Sequence, residues 1–365
     1  MNPGGPPGYP HLMGREDVAP STRPPLGLAP DRVPQLVAIG FDDNSRAGSV
    51  DGGDGGVHWA LEMVRGLDNP AGRGQTATYD GAPVRLSFYL ASSFLESSTA
   101  QSPAALARAW RSALEDGHEI GNHTHSHAHG RAFAADEWRN EISRCTDTLG
   151  GIGLPAVALH GFRAPYLEYG DGLFDAVASL GFHYDCSIED GWQPDMDGTN
   201  YRWPYTLDRG CPAVETITPH PGLWELPGHP VIVPPDDDCP RYGVAPGLRA
   251  KLKGVNSHFD EAAGKITGLD YNLWVAYRMT KAEFLATVKY SLDLRVRGNR
   301  APFLLGAHTD YYSSDYTDAP NTTAAERRAA MEELVAYALS KPEVRVVSLE
   351  QVLDWVRNPV AMAVA

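Results

Sequence analysis

Four histidines alternate with small or polar residues in one short stretch, and imidazole is a common protein ligand for borderline transition metals. The stretch follows a strand-like run at residues 118–120 and precedes a helical pattern, which predicts a loop at a strand's carboxyl end. His123 and His127 are four residues apart, a spacing that would direct both rings the same way on a helical turn. His125 and His129 have the same spacing, so spacing alone does not choose between the two pairs. The alternative interpretation is a polar surface loop that binds nothing.

Alternating strand and helix patterns surround this loop. Residues 35–41 form a continuous apolar run, which is typical of a strand buried on both faces. Ser102 before Pro103 predicts a helix start, because serine caps helices and proline suits the first helical position. Further strands are predicted at 85–90, 118–120, 156–162, 183–187, 223–226, 303–307 and 344–347, and helices at 57–67, 103–115, 135–149, 172–180, 281–297, 324–340 and 349–357. This alternation implies parallel βαβ units, and about eight strands without a dividing linker predict a single α/β barrel.

Polar residues stand just past the carboxyl ends of at least four predicted strands: Asp42 and Asp43, His123 and His127, Arg163, and His308. In a parallel βα barrel those ends converge on one face, where the active site lies. Each residue alone has a structural explanation, as a turn residue, a surface ion pair or a core histidine. Their joint position at strand ends favours an active site.

Composition limits the classes of partner. Apolar residues make up 42% of the 365 residues and charged residues 21%, which is ordinary for a globular protein. The formal net charge of −15 argues against a nucleic acid or an anionic membrane as partner, since both require a basic face. No window approaches 18 consecutive apolar residues, so no transmembrane helix is expected.

Composition also suggests the domain boundaries. Residues 1–34 are rich in Pro and Gly and predict an N-terminal tail or strap that lacks the features of a signal peptide. The barrel is expected over residues 35–358, followed by a C-terminal tail at 359–365. Residues 188–270 break the strand–helix rhythm and are rich in Pro, Gly, Asp and aromatic residues. We expect this loop-rich insertion to cover the active site as a lid.

The four cysteines form no C-x-x-C pair, so a cysteine-ligated zinc site is not expected. Cys211 and Cys239 bracket the predicted strand at 223–226, and we expect a disulfide between them to hold the insertion. For Cys145 and Cys186, free buried thiols and a disulfide both remain open.

Four ordered motifs resemble those of the polysaccharide deacetylases, carbohydrate esterase family 4: Phe41-Asp42-Asp43, His123-Thr124-His125-Ser126-His127, Arg163-Ala164-Pro165-Tyr166 and Leu304-Leu305-Gly306-Ala307-His308. The resemblance spans roughly residues 35–357. Three further segments resemble the catalytic domain of insect-type chitin deacetylases: Tyr184-Asp185-Cys186-Ser187, Arg202-Trp203-Pro204-Tyr205-Thr206 and Leu353-Asp354-Trp355. The family implies an α/β fold, a single distorted (β/α)7-8 barrel, here with 188–270 as a long loop insertion.

The resemblance also implies roles for individual residues. It implies one divalent metal, zinc or alternatively Co²⁺, Mn²⁺ or Ni²⁺, held by three side chains: Asp43, His123 and His127. It implies that Asp42 is the general base and that Arg163 orients it. It also implies that His308 is the general acid and that the backbone N–H of Tyr166 donates to the oxyanion. The family's fourth motif does not occur in its usual form, and Asp185 and Trp224 are the candidates for its parts. Substrate-binding residues are predicted as Trp224, Asp185 and Trp203.

Two histidines and one carboxylate leave coordination positions open, which is the pattern of a catalytic rather than a structural metal site. The resemblance implies a hydrolase that removes N-acetyl groups from N-acetylglucosamine polymers or oligomers, with chitin preferred over peptidoglycan. The alternatives are an acetylxylan or peptidoglycan deacetylase, another amidohydrolase on the same barrel, or an inactive carbohydrate-binding barrel. The expected partner is a carbohydrate, the expected state is a monomer, and the expected location is extracellular or periplasmic, with the cytoplasm as the alternative.

Overall fold

The structure, a computed structural model, describes residues 16–97 and 102–363. Its central element is strand β1, Gln35–Asp42, in which all eight residues are buried. An apolar run with branched side chains suits a strand that packs on both faces and pairs on both edges. Because β1 ends at Asp42, the adjacent pair Asp42 and Asp43 lies at its carboxyl end.

A curled sheet of nine strands is built around β1 in the described residues. The remaining strands of the chain are β2 Ser87–Leu90, β3 Glu119–Asn122, β4 Leu159–Phe162, β5 Tyr184–Asp185, β6 Tyr205–Thr206, β7 Trp224–Glu225, β8 Val231–Ile232, β9 Lys265–Ile266, β10 Phe303–His308 and β11 Val344–Val346. The order in the sheet is β10-β1-β2-β3-β4-β5-β7-β6, with β11 also pairing with β1, while β8 and β9 form a separate pair. All neighbours pair in parallel except β6, which runs antiparallel to β7. This confirms the predicted α/β barrel with parallel strands.

Helices connect and cover the strands: α1 Gly56–Val64, α2 Phe94–Ser97, α3 Pro103–Glu115, α4 Ala135–Gly151, α5 Asp171–Ser179, α6 Leu248–Val255, α7 Lys281–Arg297, α8 Ala324–Leu339 and α9 Leu349–Arg357. The bounds of α3, α7 and α9 are those predicted, because side chains fix their first turns. The Ser102 hydroxyl accepts a hydrogen bond from the Ala105 N–H at 3.2 Å, and Thr280 and Ser348 begin capping boxes. Across the described part of the chain, no helix has both the length and the apolar character needed to cross a membrane.

Three of the five two-residue strands, β6, β8 and β9, escaped prediction, because two residues are too few for an alternating pattern to be recognised. The other two, β5 and β7, lie within the predicted strands at 183–187 and 223–226. The predicted strand at 156–162 begins instead with a 3₁₀ turn, Ala156–Ala158, and only its second half joins the sheet as β4.

Two glycines in the strands, Gly40 and Gly121, leave space in the barrel interior for the side chains of Tyr89 and Arg163. A Cβ on Gly121 would lie 2.4 Å from the Tyr89 ring, and a Cβ on Gly40 would lie 3.1 Å from the guanidinium of Arg163. The Tyr89 and Tyr184 hydroxyl oxygens are 2.7 Å apart, so the two phenols hydrogen-bond inside the barrel. Small residues in β1 and β3 therefore make room for the groups that support the carboxyl end of the barrel.

The segment 188–270 contributes to the barrel wall, since it supplies β7 to the main sheet and contains the β8–β9 pair. The predicted disulfide between Cys211 and Cys239 is wrong, because both are free, buried thiols. Cys211 packs in the cluster that contains Leu223, whereas Cys239 packs in a different cluster with Leu248. The segment thus packs into separate apolar clusters, and the two cysteines belong to different ones. The other two cysteines, Cys145 and Cys186, are also free and buried.

The predicted N-terminal tail is described only from residue 16, and residues 1–15 lie outside the described residues. Residues 16–23, here called the strap, run along the edge of the sheet formed by β6. The Val18 carbonyl accepts a hydrogen bond from the Thr206 N–H at 3.0 Å, and the Ser21 carbonyl accepts one from the Trp203 N–H at 2.9 Å. The strap therefore supplies partners to an edge that the sheet itself leaves open.

Candidate functional site

Three potential metal ligands meet at the carboxyl ends of the parallel strands, here called the mouth of the barrel. Asp43 follows β1, and His123 and His127 lie on the loop that follows β3. The Nε2 atoms of His127 and His123 are 2.9 and 3.5 Å from Asp43 Oδ1. One ligand atom from each residue lies within 4.8 Å of the others, the only such group of three in the described chain segments. The structure thus brings together the three side chains that the sequence predicted as ligands.

The ring nitrogens are arranged as a metal would require. His123 Nδ1 is 2.7 Å from the Arg163 carbonyl oxygen, so Nδ1 carries the proton and the lone pair of Nε2 is directed at Asp43. Buried Asp43 Oδ1 accepts no hydrogen bond of acceptable geometry, although His127 Nε2 is close to it. Burial would raise the pKa of Asp43, but His123 and His127 outweigh it and hold that pKa well below its usual value. Asp43 Oδ1 and the Nε2 atoms of the two histidines are thus directed at one another, and a divalent cation bound among them would accept their lone pairs.

Backbone strain is concentrated at this site. Six of the ten non-glycine residues with positive φ in the described chain lie at the mouth: Asp43, Asn44, Thr124, His127, Tyr166 and Leu167. Such conformations cost free energy and persist where the surroundings impose them, frequently at functional sites. Asn44, which tolerates a left-handed backbone, is fully buried and donates through Nδ2 to the carbonyls of Phe41 and Tyr89 at 2.8 and 3.0 Å. Asn44 therefore ties β1 to β2 and fixes the turn that presents Asp43.

The two remaining histidines of the loop have other partners. His125 Nδ1 is 2.9 Å from the Ser92 hydroxyl, and its Nε2 is 2.8 Å from Arg144. The exposed His129 ring stacks on Tyr166 with centroids 4.0 Å apart. The fold therefore brings His123 and His127 to Asp43 and gives His125 and His129 other contacts, while the role of His123 and His127 as metal ligands stays a prediction.

Asp42 forms a buried ion pair at the mouth. Arg163, which follows β4, donates from Nη1 to Asp42 Oδ1 at 2.7 Å, and both side chains are almost fully buried. The Arg163 guanidinium lies over the Tyr89 ring, 4.4 Å from its centroid, so its position is fixed from below. Burial would lower the pKa of Arg163, but Asp42 raises it well above its usual value. The pair leaves Asp42 Oδ2 for other partners.

His308, the last residue of β10, pairs with a residue that the sequence did not predict. Asp270 is fully buried, accepts from the His308 N–H at 2.9 Å and lies 2.7 Å from His308 Nδ1. Burial would lower the pKa of His308, but Asp270, with further help from Asp43 and Asp42, raises it to about 10. The imidazole therefore carries a proton at neutral pH, and its Nε2–H is available to donate.

Tyr166 lies directly beside the ligand cluster. Its ring centroid is 4.6 Å from that of His127, and its backbone has φ of 57° in a short 3₁₀ turn, Pro165–Leu167. Within the described residues the Tyr166 N–H donates no backbone hydrogen bond. This N–H remains available for a ligand, as the predicted oxyanion role requires.

The predicted substrate-binding residues do not reach the mouth surface. Trp203 and Trp224 are each 2% exposed, and both pack in the core that contains Trp355. Asp185 is 0% exposed, and its carboxylate accepts from the Ser187 N–H and hydroxyl at 2.8 Å each. Their burial contradicts the predicted contact with substrate. It also excludes Asp185 and Trp224 as partners of His308, because Asp270 occupies that place.

The signal for Asp270 was present in the sequence but weak. It lies 38 residues before His308, at the end of the irregular segment 188–270 and four residues before Trp274. Trp274 is fully buried, and its indole N–H is 3.5 Å from the Tyr312 hydroxyl. A lone Asp-x-x-x-Trp pair outside a periodic element could not be distinguished from loop composition.

The chain is similar to known proteins in sequence and in fold. The family model described as "Polysaccharide deacetylase" matches residues 83–184, which include His123, His127 and Arg163. Chitin deacetylase 8 of Bombyx mori is 23% identical over 346 residues, 93% of this chain and 75% of that protein. A crystal structure of a Mycobacterium smegmatis protein described as a polysaccharide deacetylase covers 96% of this chain and 99% of that one, with 18% identity and a TM-score of 0.56.

Proposed function

Since this chain belongs to the polysaccharide deacetylase family, we propose that it is a metal-dependent hydrolase that removes N-acetyl groups from N-acetylglucosamine polymers or oligomers of the chitin type. The observation that carries the proposal is the meeting of three units at one mouth. These are the Asp43–His123–His127 cluster, the Asp42–Arg163 pair and the His308–Asp270 pair. Together they supply a cation site, a proton acceptor and a proton donor.

Asp43, His123 and His127 would hold the metal, and two imidazoles with one carboxylate suit zinc. When bound, a divalent cation would polarise the acetyl carbonyl and make a water molecule more acidic. The three side chains leave coordination positions open for that purpose. The Arg163 carbonyl fixes the tautomer of His123 and so contributes to the site without touching the cation.

Asp42 is the proposed general base. Its Oδ1 accepts a hydrogen bond from the Arg163 guanidinium, which holds the carboxylate in one orientation. The second oxygen then takes the proton of the water that attacks the acetyl carbon. Arg163 is a positioning residue in this scheme, because it acts through Asp42.

His308 is the proposed general acid. An amine leaves poorly unless its nitrogen is protonated, so amide cleavage needs a proton donor at this position. Asp270 holds His308 through Nδ1, and this leaves the Nε2–H to be given to the sugar nitrogen. The Tyr166 N–H is the proposed donor to the carbonyl oxygen as negative charge develops on it.

Two observations support an N-acetylglucosamine polymer as substrate. The relative from Bombyx mori, which matches 93% of this chain, carries the name chitin deacetylase. The His308–Asp270 pair holds a proton donor in place that is still protonated at neutral pH, which suits an amide more than an acetyl ester, whose leaving group needs less protonation. We place the reaction outside the cytoplasm, in the extracellular space or periplasm, because a polymer of this kind does not enter cells.

Acetate release from chitin oligomers, peptidoglycan and acetylxylan tests the proposal. We expect the zinc-loaded wild type to release acetate fastest from chitin oligomers. Asp42→Asn should retain metal and fold but lose ~10²–10⁴-fold in kcat, as expected for removal of a general base. Metal analysis should show that His123→Ala loses the metal.

The matched control is His129→Ala, since His129 belongs to the same loop but is exposed and lies outside the ligand cluster. It should keep the metal. Near wild-type turnover by Asp42→Asn, or metal loss only in His129→Ala, would contradict the assigned roles. Faster release from acetylxylan than from chitin oligomers would contradict the assigned substrate.

A further inference from the structure

A column of three buried polar side chains runs through the barrel interior, from the amino ends of the strands, here called the floor, towards the mouth. Its members are Glu119, Tyr184 and Tyr89, which are 5%, 0% and 0% exposed. Glu119 is the first residue of β3, Tyr184 lies in β5 and Tyr89 lies in β2. The column therefore joins three strands of the barrel through their side chains.

Glu119 is fixed at the floor by three hydrogen-bond donors. Its Oε1 accepts a hydrogen bond from the Tyr184 hydroxyl, and its Oε2 accepts one from the Ser87 hydroxyl at 2.6 Å and one from the Glu350 N–H at 2.9 Å. Ser87 begins β2, and Glu350 is the second residue of α9. The carboxylate thus ties the lower end of the column to β2 and to the last helix.

The hydrogen bonds of the column run in one direction. The single hydroxyl proton of Tyr184 is donated to Glu119, so the Tyr89 hydroxyl donates to the Tyr184 oxygen, which is 2.7 Å away. Burial, with a contribution from Glu350, raises the pKa of Glu119 to about 7, so the carboxylate is ionised at higher pH and maintains this direction. Because linked hydrogen bonds polarise one another, donation by its hydroxyl makes the Tyr89 ring richer in electrons.

The upper end of the column meets Arg163. The guanidinium lies over the face of the Tyr89 ring, 4.4 Å from its centroid, and an electron-rich ring face attracts a cation. Arg163 also lines a cavity of about 30 Å³ together with Leu226 and Leu304. The Tyr89 ring therefore fixes a guanidinium that packing alone would leave free to shift.

Two strands are shaped to admit the phenol rings. A Cβ on Gly121 of β3 would overlap the Tyr89 ring, and a Cβ on Gly161 of β4 would overlap the Tyr184 hydroxyl. The backbone thus lies directly against both rings. The rings cannot change place without moving β3 and β4, so the column transmits a fixed position from the floor to Arg163.

We propose that Glu119 and Tyr184 are positioning residues for the reaction, because they hold the Tyr89 ring and through it the Arg163 guanidinium that orients Asp42. The inference rests on the proposed function and extends it to side chains that lie beneath the mouth. A misplacement of 1 Å at a reacting group can cost ~10²-fold in rate, even when its cause is far from the chemistry. The column would then affect kcat without touching the substrate.

The first test is Tyr184→Phe, which removes the hydroxyl between Glu119 and Tyr89 and keeps the ring. We expect kcat for acetate release from chitin oligomers at pH 8.5 to fall about tenfold with KM unchanged, as a small displacement of the general base would cause. In an Arg163→Lys background the same substitution should change kcat by less than about twofold, because the effects of residues that act through one another are not additive. Tyr89→Phe interrupts the same chain one bond nearer the mouth and should give the same result.

The matched control is Tyr242→Phe. It also removes a phenol hydroxyl that donates to a carboxylate, that of Asp293 in α7 at 2.8 Å, but outside the column. It should leave kcat unchanged in both backgrounds. An equal loss of kcat by Tyr184→Phe in the wild-type and Arg163→Lys backgrounds would show a general structural effect and overturn the proposal.

The side-chain NMR signal of Arg163, identified by its loss in Arg163→Lys, gives a measurement that does not depend on activity. We expect the guanidinium to rotate faster about its Nε–Cζ bond in Tyr184→Phe than in the wild type, and at the wild-type rate in Tyr242→Phe. An unchanged rotation rate in Tyr184→Phe overturns the proposal. If the wild type releases no acetate from any chitin oligomer, the proposed function is overturned instead, and the rotation of Arg163 decides whether the column positions it.

Discussion

His308 and Asp270 act as one unit at the scale of single residues. Asp270 is buried and has two hydrogen bonds to His308, one to the backbone N–H and one to Nδ1. Burial alone would lower the pKa of His308, yet Asp270 raises it to about 10. The carboxylate therefore determines over which pH range the imidazole can donate a proton.

Asp270→Asn should shift the alkaline limb of the kcat profile to lower pH. A general acid works only while protonated, so activity is lost as pH rises through its pKa. Asparagine keeps an acceptor for Nδ1 but removes the charge, so the pKa of His308 falls and the active form disappears earlier. We expect kcat at neutral pH to fall ~10²-fold or more, measured as acetate release between pH 5 and 10.

Asp293→Asn is the matched control for that substitution. Asp293 is a buried carboxylate in α7 that is hydrogen-bonded to Tyr242 and Tyr337, away from the mouth. Its replacement should leave the alkaline limb in place. An unshifted limb in Asp270→Asn would mean that another group donates the proton.

At the scale of elements, a buried histidine, His118, lies just before strand β3, at the opposite end from the predicted metal ligands. His118 precedes β3, is 5% exposed and accepts the Leu86 N–H at Nδ1 over 3.1 Å. Burial, with a smaller contribution from Arg85, lowers the pKa of His118 to about 4. The strand pairing of β2 and β3 is thus supported by a neutral imidazole.

The folded protein should lose stability through His118 as pH falls from about 6.5, the unperturbed histidine pKa, towards 4. In that window the unfolded chain binds a proton that the folded chain excludes, so the free energy of unfolding decreases with falling pH. The full contribution is on the order of 3 kcal/mol, at 1.36 kcal/mol per pKa unit.

Urea unfolding of wild type and His118→Asn from pH 4.5 to 7 should show a weaker pH dependence in the variant. His258→Asn, at an exposed histidine, serves as the control and should follow the wild-type slope. Identical slopes in wild type and His118→Asn would exclude this role for His118.

At the scale of the whole molecule, the strap joins distant parts of the chain. The Glu16 carboxylate accepts from the Trp224 indole N–H and, at 2.9 Å, from Arg357 Nε in α9. The Arg357 side chain is only 7% exposed, and Glu16 is its counter-charge. The strap therefore links the N-terminal region, β7 and the last helix at the edge of the sheet.

Glu16→Gln should lower the free energy of unfolding by roughly 1–3 kcal/mol, because it leaves a nearly buried arginine without its counter-charge. The adjacent Asp17→Asn is a matched control, since Asp17 pairs with Arg209 at an exposed position. Exposed ion pairs contribute little, so this control should change stability by less than about 1 kcal/mol. Urea unfolding measures the free energy of unfolding of both variants. An equal decrease in Glu16→Gln and Asp17→Asn would show that the strap does not depend on Glu16.

Local patterns in the sequence were sufficient to predict most of the barrel and the convergence of several polar side chains at its mouth. The apolar run of β1, the caps of α3, α7 and α9 and the polar residues after strand ends are all short-range signals. Parallel strands carry such residues to one mouth whatever the details of packing, so the predicted convergence of Asp43, His123, His127 and His308 followed from topology.

Only the tertiary structure decided which residues of the irregular segment 188–270 are buried and which one pairs with His308. Its conformation depends on packing between distant parts of the chain, and it contains no period from which burial or pairing could be predicted. The fold buried Trp203, Trp224 and Asp185, placed Cys211 and Cys239 in separate cores and brought Asp270 to His308. It also brought His123 and His127 to Asp43, whereas both ring nitrogens of His125 lie within hydrogen-bond distance of Ser92 and Arg144.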